Sequence, residues 1–492
     1  MSALSEHLTY LIEKKGEKTR QLAERTGIDH STMHQYVKGS RPLRNRKQLE
    51  AIMTELHLTP DERSKLLIDW EIAQVGQRTY NRRLRFDRLV RTLEPMAQEF
   101  ALRLTETEKP APEEIEIQPL PPVVQGDLEL NRVIGMILRD AVVRGQNILL
   151  ITQPSNQMLL QSLLLVCSYA ASSQITHLLC LDPQGDTDRF DNLDAVETAI
   201  RCTLGIPGYE AWRFYGDAAE HYGSMSLLPN LLLTDRYAMQ ISSDYKTALI
   251  HTNESVLAFL KAQVLKMQKQ CAPLMTKLNA LTASLDSWKD YYLTEEKYSK
   301  IDLYPGFLCT VFWTEEQIRT YTNRQLPMRE TIVSTVAGFA RAANHAYRQI
   351  KPRILMCKEY VEEFLKTGVM HDLPQMLLEK PVSKKDRRYL VQQVLQASEE
   401  GWLHVRLLPR EQFPLANQFE LCLRPNHEII ISLQNEHFFC RFQVTEPDLL
   451  AYCEDYLIYL YELPQVLDET ASAQLLKEWI EIYLSEENNE EL

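Results

Sequence analysis

The stretch Leu22-Ala23-Glu24-Arg25-Thr26-Gly27-Ile28-Asp29-His30-Ser31-Thr32-Met33-His34-Gln35-Tyr36-Val37-Lys38-Gly39 decides how the N-terminal part of this chain is read. Leu22 and Ala23 stand on the inner face of one short helix, and the small alanine lets a second helix cross it closely. Gly27 supplies the positive φ of a tight inter-helix turn, and Gly39 ends the second helix. Ile28, Met33 and Val37 are the residues expected to bury that helix. Its outer face then carries His30, Ser31, Thr32, His34, Gln35 and Lys38, short or amide-bearing polar groups with little negative charge. Asp29, directly ahead of the helix, has the chemistry and the position of an N-cap.

Outward from this segment, residues 4–75 read as five short helices: 4–15, 18–26, 30–38, 45–56, and one that opens at Thr59. There Thr59-Pro60-Asp61-Glu62 combines a capping threonine, a first-turn proline and the glutamate of a capping box. From residue 78 to 100 the helical pattern turns basic, with Arg82, Arg83, Arg85, Arg88 and Arg91 among apolar residues. Phe86, Leu89 and Leu93 form an i, i+3, i+7 stripe, read as the buried seam of a dimer helix with the arginines on its wet face. Extra phosphate contacts are the other reading of those arginines.

The segment from Leu22 to Gly39 resembles, without gaps, the helix-turn-helix of Cro/C1-type phage repressors, the XRE family, over about residues 1–75. The resemblance implies a sequence-specific DNA-binding transcriptional regulator that acts as a homodimer on double-stranded DNA, with half-sites about 34 Å apart. Carried over residue by residue, it assigns base contacts to His30, Ser31 and Gln35, with Thr32 and His34 at the margin. Gln35 suits a bidentate contact with adenine. Phosphate contacts fall to Thr19, Lys38, Ser40, Arg41, Arg44 and Arg46, which fix register and salt dependence without reading sequence.

The net charge of −13 over 492 residues looks wrong for a nucleic-acid binder until it is divided. Residues 1–100 hold 18 Lys and Arg against 14 Asp and Glu, about +4, which leaves the remainder at about −17. This is the pattern of a small basic reader on a large acidic body. The nine cysteines are scattered, with no CxxC, so neither a disulfide framework nor a zinc site is expected, and a reducing cytoplasm is the natural setting. The N-terminus does not read as a signal peptide, and the most apolar stretch, residues 148–171, is too polar for a membrane span.

Residues 105–126, rich in Pro and Glu, read as a linker. Beyond them lies an internal duplication. Pro273 is followed by Leu285, Trp288 and the run from Tyr292 to Glu296, and Pro464 by Leu476, Trp479 and the run from Tyr483 to Glu487, at identical offsets. Each copy has a long helix upstream (254–270 and 446–462), preceded by two β-rich runs (230–235 and 238–243; 417–422 and 428–433). The apolar runs 147–152 and 353–357 are matched as buried strands. The chain is therefore read as multidomain, an all-α helix-turn-helix domain plus a duplicated α/β C-terminal region. Its parts are the reader (1–76), a connecting and dimerising helix (77–104), the linker (105–126), lobe 1 (127–298), a bridge (299–329) and lobe 2 (330–492).

The body carries no phosphate loop, dinucleotide fingerprint, nucleophile elbow or HExxH helix, so no enzymatic activity, cofactor or metal is expected. The two α/β halves, with strand runs ending at Ser242-Ser243 and Ile431-Ser432, resemble the two-lobed phospholipase D-like architecture without the His-x-Lys that would make it catalytic. His251 and His437 read as structural, and Trp288, Trp479, Tyr292 and Tyr483 as lobe core. The body is expected to sense an effector, whether small molecule, peptide or protein. An enzyme that regulates its own operon and a scaffold that binds a protein partner are the alternatives.

Overall fold

The computed structural model describes residues 2–105, 119–153, 157–167, 173–183, 192–206, 208–222, 227–278, 300–373, 377–416, 419–434 and 439–485. It divides into two compact units, Met1–Asp87 and Arg88–Leu492. The fold class is the one read from the sequence, an all-α N-terminal part followed by a duplicated α/β region. Among the described residues no helix is long and apolar enough to cross a membrane.

The first unit contains α1 (Ala3–Lys14), α2 (Thr19–Thr26), α3 (His30–Lys38), α4 (Arg46–Glu55) and α5 (Pro60–Val75), and it holds the start of α6 (Gln77–Thr105). Its core joins Leu8 and Leu11 of α1, Leu22 and Ala23 of α2, Met33 and Tyr36 of α3, Leu49 and Ile52 of α4 and Leu66 of α5. Asn45 caps α4, and the capping box of α5 forms in both directions between Thr59 and Glu62. Glu62 also takes Lys14 at 2.8 Å and Lys15 at 3.0 Å, which ties α5 to the end of α1. The Trp70 indole donates to the Leu43 carbonyl at 2.7 Å and so anchors the loop after α3 to α5.

Both turn glycines lie in the left-handed region, Gly27 at φ 67° and Gly39 at φ 70°. They differ in their surroundings. A Cβ on Gly27 would meet nothing within 4 Å, whereas one on Gly39 would stand 2.6 Å from Ser5 Oγ of α1.

In the second unit Leu89, Val90 and Leu93 of α6 are buried within the single chain. The stripe read as a dimer seam is therefore already covered, since helical periodicity marks a buried face without saying what covers it. The α/β region is built on two sheets. The first runs β1 (Val123–Gln125), β7 (Thr247–His251), β6 (Ala238–Ile241), β5 (Asn230–Leu233), β2 (Ile148–Ile151), β3 (Ile175–Leu181), β4 (Tyr209–Tyr215), β8 (Ala272–Pro273). The second runs β9 (Met275–Leu278), β15 (Phe439–Val444), β14 (Glu428–Gln434), β13 (Phe419–Arg424), β10 (Ile301–Tyr304), β11 (Arg353–Cys357), β12 (His404–Leu408).

Apart from β8, the two orders are identical. In each, three parallel strands fan out from a central first strand (β2 or β10). The chain then returns to the other side of that strand and continues antiparallel. In the first lobe α7 (Asp127–Val143) precedes β2, α8 (Gln157–Cys167) and α9 (Asn192–Gly205) connect the parallel strands, α10 (Ala218–Tyr222) follows β4, and α11 (Glu254–Gln268) packs Leu257 and Val264 on Leu231 and Leu233. In the second, α12 (Glu315–Tyr321) and α13 (Arg329–Ile350) follow β10, α14 (Lys358–Thr367) and α15 (Lys384–Glu399) follow β11, and α16 (Pro447–Tyr461) and α17 (Glu469–Tyr483) close the chain. Helices on both faces explain the continuous apolar runs of the central strands.

This topology shifts the internal match by one strand. The counterpart of β2 is β10 rather than β11, so residues 301–304 belong to the second copy and not to a bridge. A four-residue strand flanked by Lys300 and interrupted by Asp302 has no apolar run by which to be recognised. β1 falls inside the segment read as linker, and β9, read as lobe 1, pairs with β15 of the second sheet. Only Leu274, fully buried, separates β8 from β9. Of the Pro–Trp–Tyr frame, residues 285–296 and also His437 lie outside the described residues. In the second copy Leu476 and Trp479 of α17 are buried in the lobe core, as expected, and the Tyr483 hydroxyl donates to Glu362 at 2.6 Å.

The lobe centres differ in chemistry. In the first, His177 of β3 is fully buried. Its Nε2 meets the Thr152 carbonyl at 3.1 Å, which can only accept, so Nδ1 accepts from the Tyr209 hydroxyl at 2.7 Å. Burial holds this imidazole down to about 4, neutral, and it pins β2, β3 and β4 together. In the second lobe Lys300 and Asp302 form a buried ion pair at 2.7 Å, and Lys300 also donates to the Tyr347 hydroxyl at 2.8 Å.

Asp372 accepts from the backbone N–H groups of Cys309 and Thr310. Burial pushes its carboxyl up to about 7, with nearby Glu420 adding to the effect. The folded lobe therefore keeps this proton after the unfolded chain has lost it. The stability this contributes is fully present below about pH 4 and is lost as pH rises through 7. Asp372→Asn should flatten that fall, as followed by urea unfolding at a series of pH values. In the first unit Gly27→Ala should cost roughly 1 kcal/mol, the left-handed penalty alone. Gly39→Ala should cost at least about 1 kcal/mol more because Ser5 must move, and the same urea titrations measure the difference.

Candidate nucleic-acid interface

The candidate interface is the outer face of α3 with the segments that flank it. Met33 (0% exposed) and Tyr36 (7%) point into the core, and Val37 is half-buried. Tyr36 is the anchor that the apolar pattern missed. Its ring is buried while its hydroxyl donates to Gln48 Oε1 of α4 at 2.9 Å, so an aromatic residue with a polar tip serves as a core residue here. His30, Ser31, His34, Gln35 and Lys38 are exposed and Thr32 is half-buried. The rings of His30 and His34, one turn apart, stack with centroids 6.5 Å apart.

Asp29 caps the helix. Its Oδ1 accepts from the Thr32 N–H at 3.0 Å and from the Ser31 hydroxyl at 2.6 Å. These two bonds, the Ser31 hydroxyl foremost, lower the Asp29 carboxyl below its ordinary range. The negative charge at the head of α3 is thereby turned onto the helix, where it is favourable. Ser31 uses its own proton in the cap and keeps its oxygen lone pairs as acceptors.

Of the residues expected at phosphate, Lys38, Ser40, Arg41 and Arg44 are exposed and close to one another in sequence after α3. Arg41 also reaches Thr32 Oγ1 at 3.4 Å. Thr19 opens α2, a helix with no side-chain cap and no acid in its first turn, so the N–H groups there face outward without a competing anion. Arg46 stands apart. It is half-buried, bonded to Glu50 at 3.0 Å, with its guanidinium 5.9 Å from the Trp70 ring, and it is engaged within the unit. The structure thus brings together one polar helix face and a basic loop.

No family model matches this chain, and no curated protein matches it. Among solved structures it is similar to TrmBL2, an archaeal chromatin protein, at 11% identity over 42% of this chain and 60% of that one, with a TM-score of 0.21. It is similar also to a polyphosphate kinase from Porphyromonas gingivalis, at 10% identity over 73% of this chain and 55% of that one, again with a TM-score of 0.21. Likenesses this loose carry no weight for fold or function.

The cap is the local feature on which the interface depends. Asp29→Asn keeps an acceptor and should leave the melting temperature of the first unit unchanged. Asp29→Ala should lower it by roughly 4–8 °C, the shift expected when a helix cap is lost from a domain of this size, in thermal denaturation followed by circular dichroism.

Proposed function

We propose that this chain is a sequence-specific DNA-binding transcriptional regulator whose first unit reads the major groove through α3 and whose acidic α/β body senses an effector. The observation that carries the reading is the face of α3. Six polar side chains free of net negative charge look outward from a helix whose one acid is locked as its cap, beside a basic loop and an uncapped α2. In this reading Gln35, His30 and His34 meet base edges, with Ser31 and Thr32 at the groove wall. Lys38, Ser40, Arg41 and Arg44, with Thr19 and the start of α2, hold the phosphates. Arg46 is assigned to positioning the loop through Glu50 and Trp70.

A single α3 gives few base contacts, so tight binding requires two copies of the chain on half-sites about one helical turn apart. The duplicated body supplies what a reader alone lacks, an element whose state an effector can bias. Its effect on DNA affinity is limited to its differential preference for the two states.

The test begins by selecting a preferred duplex from random sequence with the full chain. Against that duplex Gln35→Ala should lose about 1–3 kcal/mol and relax preference at one base position. Lys38→Ala should weaken all sequences alike and reduce the slope of log K against log salt by about 1. A chain that enriches no duplex, or a Gln35→Ala protein whose loss is equal on every sequence, would overturn the assignment. Fluorescence anisotropy over a range of salt concentrations reads both.

A further inference from the structure

α11 and α16 occupy the same place in the two lobes, each following the third strand of its antiparallel arm, β7 or β15. Counted from their caps, Asn253 and Glu446, the inward residues correspond, Leu257 with Leu450 and Val264 with Leu457. So do two aromatic residues, Phe259 and Tyr452. Their surroundings differ. α16 buries eight residues, Tyr452 among them at 7% exposed. α11 buries only Leu257 and Val264 and leaves Phe259 61% exposed.

The uncovered side of α11 is a second apolar face. Leu257 and Val264 point to the sheet, and at about 100° per residue Ala262 stands nearly opposite them. Phe259 and Leu265, each three residues from Ala262, flank it at about 60° on either side. Leu265 is 41% exposed, and Ala258 and Ala262 are exposed between the two larger residues. A surface helix ordinarily pairs one apolar stripe with a polar opposite face, so a helix with two apolar faces has a second surface to cover.

Charge decides what fits that surface. Glu254 opens the helix, Lys266 and Lys269 lie at its end, and all three are exposed. A parallel copy of α11 would set glutamate against glutamate and lysine against lysine. An antiparallel copy, related by a two-fold axis at Ala262, brings each residue level with the one equally far beyond that alanine. Phe259 then lies level with Leu265 of the second copy. Alanine meets alanine at the crossing, which lets the helix axes approach to roughly 8 Å. Glu254 comes within one residue, an axial rise of about 1.5 Å, of Lys269 of the second copy and on the same flank. Such charges fix the direction and register of a pairing more than its strength.

We propose that two copies of the chain pair through α11, antiparallel across a two-fold axis at Ala262, with Phe259 and Leu265 as the apolar contact and Glu254 and Lys269 setting the direction. This rests on the proposed reader only for the expectation of two copies, and it is read out without DNA. Sedimentation equilibrium of the full chain between about 1 and 50 µM should give a dimer. Phe259→Asp, at an exposed position, should raise the dissociation constant at least about tenfold and leave the circular dichroism spectrum unchanged. Lys269→Glu should weaken the dimer severalfold, and adding Glu254→Lys should restore it, which a mere loss of helix stability would not. Ala262→Cys under mild oxidation should yield a covalent dimer joined at position 262, with the wild-type chain as control.

A wild-type chain that stays monomeric over this range overturns the proposal, as does a dimer that Phe259→Asp leaves intact. A monomer that instead sediments with vesicles of anionic phospholipid assigns the face to a membrane surface and overturns it too. A charge exchange at residues 254 and 269 that fails to restore the dimer overturns the antiparallel arrangement. A dimer paired through α11 that enriches no duplex keeps this interface and removes the reader. A monomer that enriches a duplex removes the interface and keeps the reader.

Discussion

Everything that α3 offers to the outside depends on what it puts inside. Met33 and Tyr36 lie against Leu22 and Ala23 of α2, and this burial fixes the rotation of the helix about its own axis. At 100° per residue, a register set by two inward residues leaves no choice about which side chains look out. The left-handed glycines at each end and the Asp29 cap then set where the helix begins and stops. Buried in this way, a nine-residue helix can hold its outer face in one geometry, although an isolated helix of that length would be marginal in water.

The first unit was legible because its signals are local. Capping residues, glycines and apolar spacing are each written within a few positions of the element they define, and α1 to α5 follow them nearly residue for residue. Tyr36 was missed for a reason that is also local, since a tyrosine counts as polar or apolar only once the partner of its hydroxyl is known. Arg46 looked like its basic neighbours; Glu50 sits one helical turn further along the same helix, but only the fold brings Trp70 to it.

The α/β body was legible in class and less so in register. Long buried strands and helices are visible as runs and periods, but β1, β8 and β9 have only two to four residues each and lie at or near sheet edges, where pairing rather than composition makes the strand. β10 was hidden by its own chemistry. The centre of the first sheet reads Ile148-Leu149-Leu150-Ile151, whereas the centre of the second reads Ile301-Asp302-Leu303-Tyr304 and buries a charge that Lys300 balances. A buried pair of this kind does not show as a hydrophobic run, and its net effect on stability depends on geometry that no pattern encodes. The α6 stripe has a different lesson, because a periodic apolar face is the same in sequence whether its cover comes from another chain or from this one.

The passage from β8 to β9 through Leu274 bears on how such a protein can change. Domains are usually exchanged, split or nicked at exposed linkers, where a cut disturbs few backbone bonds. Here the first sheet ends and the second begins within one residue of each other, inside paired backbone. A recombination point between the copies would have to sever a strand of one sheet or the other. The two lobes are therefore joined through paired backbone, so that a strain in one sheet passes into the other without a slack linker between them.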